Sequence, residues 1–240
     1  MSTVDLDEAY WGRLDPIFIL GRQRTGTSIM WRALQVANFV GFPEDHLWYD
    51  LIKAFAWWRD PAYKSQHRLD HFAMGAGRNL LLEKQVALLL DRFHRDHLPS
   101  ELVRWVSKSP GMDAIAVAPM LAQLFPKAQF VFTLRHPVTT VDSAVAYMLR
   151  HFVESDVASV FRGTCENWVR VMETWRWVRP LLAGRFIEVT QEHIVVEPDR
   201  VARQVMEFLG TPQSAEAVAG VFKSTRENTA FPDKSVDDFI

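Results

Sequence analysis

Gly21-Arg22-Gln23-Arg24-Thr25-Gly26-Thr27-Ser28 reads as a phosphate loop with the wrong residue for ATP. An apolar run, Pro16-Ile17-Phe18-Ile19-Leu20, precedes it, and a helical pattern, Ile29-Met30-Trp31-Arg32-Ala33-Leu34, follows. A strand, a glycine-bracketed turn and a helix together aim backbone N–H groups and a helix N-terminus at an anion. The pattern Gly-x-x-x-x-Gly-Lys-Ser/Thr fits at both glycines and at Ser28, but Thr27 stands at its lysine position. That lysine reaches the terminal phosphates in triphosphatases, so Thr27 argues against phosphoryl transfer from ATP. Arg24 supplies a cation from inside the loop instead. The loop suits a phosphate, but not a triphosphate.

A second stretch has the same layout. Gln129-Phe130-Val131-Phe132-Thr133-Leu134 is aromatic and β-branched, as a buried strand should be. It runs through Arg135-His136-Pro137 into a helical segment from Thr139 to about Arg150, and Pro137 is tolerated at a helix start. A third stretch, Gln191-Glu192-His193-Ile194-Val195-Val196-Glu197-Pro198, precedes Val205-Met206-Glu207-Phe208-Leu209-Gly210.

These three stretches resemble, in order, the motifs of sulfotransferases that use 3′-phosphoadenosine 5′-phosphosulfate (PAPS). Arg24-Thr25-Gly26-Thr27 matches the Lys/Arg-Ser/Thr-Gly-Thr core of their phosphosulfate loop. Arg135 and Ser143 match the strand-end arginine and the helical serine that take the 3′-phosphate. The third stretch resembles a Tyr-Glu-Asp-Leu-x-x-Asp-Pro segment, with Gln191 for the tyrosine and His193 for the aspartate. The resemblance implies PAPS as co-substrate, without a metal, held by Arg22, Gln23, Arg24, Thr25, Gly26, Thr27 and Ser28 and by Arg135 and Ser143. An arginine fork and a hydroxyl suit a phosphate with three acceptor oxygens.

The resemblance also implies a division of catalytic roles. Arg24 would stabilise charge developing on the 5′-phosphate, and Lys108, in Ser107-Lys108-Ser109-Pro110, matches a second basic residue near the transferred group. Cytosolic relatives place a histidine base two residues beyond that lysine, where this chain has Pro110. Other relatives use a glutamate beyond the first helix, and Phe42-Pro43-Glu44-Asp45-His46 occupies that region. Glu44, Asp45 and His46 are therefore the candidates for general base, against a plain reading as an acidic loop and helix cap.

The whole chain bounds these expectations. At 240 residues and 48% hydrophobic content, one domain over residues 1–240 is expected, with 1–14 as a lead and 224–240 as a loosely packed tail. A net charge of −2 gives no electrostatic case for nucleic acid or an anionic membrane. Cys165 is the single cysteine, which excludes an internal disulfide. The acidic start lacks the basic-then-apolar layout of a signal peptide, and no apolar run reaches bilayer length, so a cytoplasmic location without membrane insertion is expected.

Strand-like runs at Pro16–Leu20, Val103–Ser107, Gln129–Leu134 and Arg185–Val189, with a short one at Phe39–Phe42, alternate with helical patterns at Ser28–Ala37, Leu80–His97, Asp113–Phe125, Thr139–Arg150, Val157–Arg179 and Arg200–Leu209. The fold class is α/β: three layers, a mostly parallel central sheet flanked by helices, with the phosphate loop after its first strand. Ligands in such sheets bind beyond the carboxyl ends of the strands.

The acceptor is expected to be a small molecule, sugar or lipid-like compound bearing a hydroxyl. Residues 46–63 hold three Trp, two Tyr and one Phe, so Trp48 and Trp57 are candidate walls of its pocket, with ordinary core packing as the competing reading. Trp168, Trp175 and Trp177 read as core, and His94 and His97 as residues favourable to a helix C-terminus. His67 and His71 lack the glutamate of a metalloprotease helix. Two other functional readings stand beside the transferase. A nucleotide kinase would need lysine at Thr27 and an acidic strand end at Arg135; a non-catalytic nucleotide-binding homologue would account for Pro110.

Overall fold

The computed structural model describes residues 14–42, 44, 76–97 (side chains from 84), 104–151 and 156–224. In chain order the elements are β1 (Ile17–Gly21), α1 (Thr27–Gln35), β2 (Phe39–Val40), α2 (Ala76–His97), β3 (Arg104–Lys108), α3 (Met112–Leu124), β4 (Gln129–Leu134), α4 (Pro137–His151), α5 (Val157–Val178), β5 (Phe186–Thr190), α6 (Gln191–Val196), α7 (Pro198–Phe208) and α8 (Ala215–Ser224). Single 3₁₀ turns follow α5 at Arg179–Leu182 and precede α8 at Pro212–Ser214.

The strands form one sheet in the order β2-β3-β1-β4-β5, and every described pairing is parallel. β1 lies at the centre, with Ile17 in register with both Val106 of β3 and Gln129 of β4. A central parallel strand is covered on both faces, which is why Ile17-Phe18-Ile19-Leu20 is apolar without alternation. Its side chains still alternate in direction. Phe18 and Leu20 join a core layer with Leu90 of α2, Trp105, Ile115 and Leu121 of α3, and Val171 and Trp175 of α5. Ile17 and Ile19 face the opposite layer, with Met30 and Leu34 of α1, Val205 and Met206 of α7, and Val218 of α8. The architecture is the three-layer α/β sandwich expected from the alternating pattern.

The amino ends of the strands are tied by Arg104. Its guanidinium donates to the Gln129 side chain at 2.7 Å and to the Leu209 carbonyl at 3.2 Å, and pairs with the Asp15 carboxylate at 3.1 Å. Burial pushes this group below its ordinary value, with Asp15 acting the other way. The opposite edge, where the carboxyl ends lie, is left open for the loops.

Several expectations are corrected. Trp175 is core, stacked on Phe132 with ring centroids 3.8 Å apart, but Trp177 is 79% exposed and Trp168 is only half-buried. His94 is no solvent-facing end group: it is fully buried and stacks on Trp105 at 4.0 Å. Two helices were missed, α6 inside the third motif and α8 ahead of the tail. No described helix is long and apolar enough to cross a membrane.

Candidate active site

The phosphate loop is built from within. Gly21 has φ 147°, and a Cβ there would fall 2.5 Å from Thr133 Oγ1 on the neighbouring strand, so only glycine lets β1 and β4 approach so closely before diverging. Thr25 Oγ1 donates to the Arg22 carbonyl at 2.7 Å and shares a hydrogen bond with Thr133 Oγ1 at 2.9 Å. The Thr25 hydroxyl thus holds the loop in shape from beneath, 3% exposed as a residue. Gly26 occupies the left-handed region at φ 95° as N-cap of α1 and brings no capping side chain. The first N–H groups of α1, including those of Thr27 and Ser28, therefore point outward without a cap, which favours an anion.

Arg24 is a non-glycine residue at φ 74°, a costly conformation that turns its side chain toward β4 and α4. Its Nε donates to Ser143 Oγ at 3.0 Å, and its guanidinium lies 5.3 Å from the Tyr147 ring centroid. Arg135, just beyond β4, donates through Nη1 to the Arg24 carbonyl at 3.4 Å. Burial lowers the affinity of both guanidiniums for their protons, and for Arg24 the neighbouring charge of Arg135 adds to the effect. Glu192 acts in the opposite direction on Arg135. Its carboxylate also accepts from the His136 N–H at 2.9 Å, which ties the first turn of α6 to the β4–α4 loop. That contact gives the glutamate of the third motif a structural role.

Lys108 closes the end of β3. It is 4% exposed, and its ammonium donates to Ser28 Oγ and to Glu44 Oε1, each at 3.2 Å. The loop, β3 and the turn beyond β2 thus meet at one ammonium. On the far side α5 presents Asp156, Ser159, Val160, Gly163, Thr164 and Asn167, spaced three and four apart on a single face. Between these walls lies an open cleft of about 1370 Å³ at the carboxyl ends of the strands.

Most of the sequence-derived site residues converge here. Arg22, Gln23, Arg24, Gly26, Thr27, Ser28, Glu44, Arg135 and Ser143 line the cleft, and Thr25 and Lys108 support it. Asp45, His46, Trp48 and Trp57 lie outside the described residues. The sequence reading missed Tyr147, one turn after Ser143, the Gln191–Val195 edge of α6 and the entire α5 wall. Tyr147 was discoverable from its spacing to Ser143; the α5 face carries no apolar signal to mark it. Among the described residues no cluster of His, Cys, Asp and Glu assembles a metal site.

Comparison with known proteins places this geometry. Residues 16–215 match the profile of the Sulfotransferase family. Comparison with curated proteins returns no match. Among solved structures, the sulfotransferase domain of the Synechococcus PCC 7002 olefin synthase is similar at 15% identity and TM-score 0.54, over 93% of this chain and 85% of that one. Sulfotransferase STF1 from Mycobacterium tuberculosis H37Rv aligns at 19% identity and TM-score 0.53, over 88% of this chain and 72% of its own. Mouse sulfotransferase SULT7A1, complexed with PAP, aligns at 11% identity and TM-score 0.50, over 93% and 70%. At such identities the structural likeness is one of fold; the match of the family profile over most of the sequence goes further. The chain belongs to the sulfotransferase family.

Proposed function

We propose that the protein transfers a sulfuryl group from PAPS to a hydroxyl of a small-molecule, sugar or lipid-like acceptor, in the cytoplasm and without a metal. The observation that carries this reading is the meeting of Arg24, Arg135 and Ser143 at one end of the cleft, beside the uncapped start of α1. Two half-buried guanidiniums, with the charge of Arg135 felt at Arg24, favour an anion over an uncharged ligand. A 3′-phosphate on the Arg135–Ser143 side and a 5′-phosphosulfate over the loop fit that demand. Mouse SULT7A1, complexed with PAP, shares the fold, which supports the same donor here.

In the proposed step the acceptor oxygen attacks sulfur in line, and the bond from sulfur to the 5′-phosphate oxygen breaks. The acceptor's proton passes to the Glu44 carboxylate, held at the cleft by Lys108. Lys108, Arg24 and the N–H groups of Thr27 and Ser28 stabilise the charge that moves onto the leaving phosphate. The products are a sulfate ester and 3′-phosphoadenosine 5′-phosphate (PAP).

Calorimetric titration with PAP in the absence of magnesium tests the donor assignment. Wild type should bind PAP well above ATP or AMP, and Arg135→Ala should lose about 10²-fold in affinity, the scale of one or two charge-assisted hydrogen bonds. Absence of PAP binding to wild type would overturn the reading.

A further inference from the structure

The two arginines of the phosphate loop diverge, and only one faces the donor groups. Arg24 turns toward Ser143 and Arg135. Arg22 turns the other way, toward α5, where its Nε donates to Asn167 Oδ1 at 3.0 Å and its Nη2 to the Thr164 carbonyl at 3.4 Å. Its Nη1 donates to the Gln23 carbonyl at 3.2 Å. The guanidinium lines the cleft although the residue is only 6% exposed. Of its five N–H donors three have acceptors; one on each terminal nitrogen has none among the described residues.

No carboxylate among the described residues pairs with this cation. Burial pushes it down to about 10, with Cys165 pulling modestly the other way, so it remains charged at neutral pH. A nearly buried cation fixed by neutral acceptors, with one spare donor on each terminal nitrogen, is a prepared seat for a planar anion. The seat is on the side of Pro110, whose carbonyl accepts from Gln23 Nε2 at 3.2 Å, and of α5, away from the Arg135–Ser143 end. Arg22 and Arg24 are two residues apart on the same loop and line the same cleft, so a ligand seated on Arg22 shares that cleft with the proposed donor.

The geometry points to an acceptor that is itself an anion: a hydroxy acid whose carboxylate is taken by Arg22 while its hydroxyl faces Glu44 and the sulfuryl group. This inference rests on the donor assignment proposed above and narrows its acceptor. The part of α5 beside Arg22 fits that substrate better than a lipid chain, since Gly163, Thr164 and Asn167 offer hydrogen bonds and space, with Val160 the one apolar residue of the face and Asp156 at its start, about three turns from Asn167.

Calorimetry on the PAP-saturated full chain tests it with matched pairs, 3-hydroxybutyrate and 4-hydroxybenzoate each against its primary amide. Wild type should bind at least one acid about 10- to 100-fold more tightly than its amide, as expected for a charge-assisted pair. Arg22→Gln should abolish that preference and Arg22→Lys should retain part of it, while any loss of PAP affinity in Arg22→Lys stays well short of that in Arg135→Ala. Equal binding of acid and amide by wild type, or no saturable binding of either acid, overturns the inference irrespective of how the variants fold. A loss of PAP affinity in Arg22→Lys equal to that in Arg135→Ala also overturns it and assigns Arg22 to the donor. Failure of wild type to bind PAP at all is a different result, which removes the donor assignment itself.

Discussion

Among the described glycines, Gly41 is the one where a methyl group should do the most damage. It follows β2, and a Cβ built on it would lie 1.5 Å from the Val106 carbonyl oxygen of β3. Ordinary contact begins at 3.4 Å, and the obstacle is backbone rather than the flexible end of a side chain. Gly41→Ala must therefore push the edge of the sheet apart by about 2 Å, a large part of the roughly 4.8 Å spacing between strands. The pairs Phe39–Arg104 and Val40–Trp105 lose their geometry, and fully buried Phe39 loses packing. Overpacking and two strained backbone hydrogen bonds together cost about 3 kcal/mol or more. For a chain of this size that lowers Tm by ~6–12 °C. Gly220→Ala is the internal control: it lies in α8 with nothing within 4 Å of the added atom, so it should stabilise by ~0.5–1 kcal/mol through helix propensity. Thermal unfolding followed by circular dichroism compares the two. A Gly41→Ala Tm within about 2 °C of wild type would refute the close approach of β2 to β3.

Other outcomes follow from contacts already described. Trp175→Ala should cost ~3–5 kcal/mol in urea unfolding, because the ring stacks on Phe132 and its indole N–H donates to Glu188 at 2.7 Å; a cost below about 1 kcal/mol would contradict that packing. Glu44→Gln should lower kcat about 10²- to 10⁴-fold while leaving PAP affinity unchanged, and an equal fall in PAP affinity would assign Glu44 to donor positioning instead. Asp156 caps α5 by accepting from the Ser159 N–H at 2.8 Å, and its carboxyl is held below the ordinary value first by the Ser159 side chain and then by that N–H. The cap is thus complete above the ordinary carboxylate range and is lost as pH falls through the lowered value. Hydrogen exchange should find the Ser159 amide protected until strongly acidic pH in wild type, and unprotected at every pH in Asp156→Ala.

The half of the cleft built by the loop after β1 and by the junction of β4 and α4 was legible because each of its signals is local. A strand, a glycine turn and a helix start are contiguous in the chain, and Arg135 and Ser143 are only eight residues apart; β4 came out with its bounds intact. The α5 wall was not, because it depends on which face of that helix turns inward. Asp156, Ser159, Gly163 and Asn167 carry no apolar periodicity, and their place on the cleft appears only in the folded chain, where Arg22 reaches Asn167. Trp177 was misjudged by counting aromatics instead of angles: two residues along a helix is about 200°, so the inward face that holds Trp175 turns Trp177 out. His94 was misjudged because its neighbours, Trp105 and Phe42, come from other parts of the chain. Helix α6 was hidden because six residues are too few turns to establish a period.

The central position of β1 has a consequence for biosynthesis. Its five residues are buried on both faces, yet the strands beside it pair from Val106 and Gln129. At a synthesis rate of ~5–20 residues per second, the ribosome makes Ile17-Phe18-Ile19-Leu20 on the order of ten seconds before either neighbour is complete. During that interval an apolar strand with both edges unpaired is open to association with other chains. The segment that delivers the phosphate loop to the finished enzyme is therefore one in need of chaperone cover while the enzyme is being made.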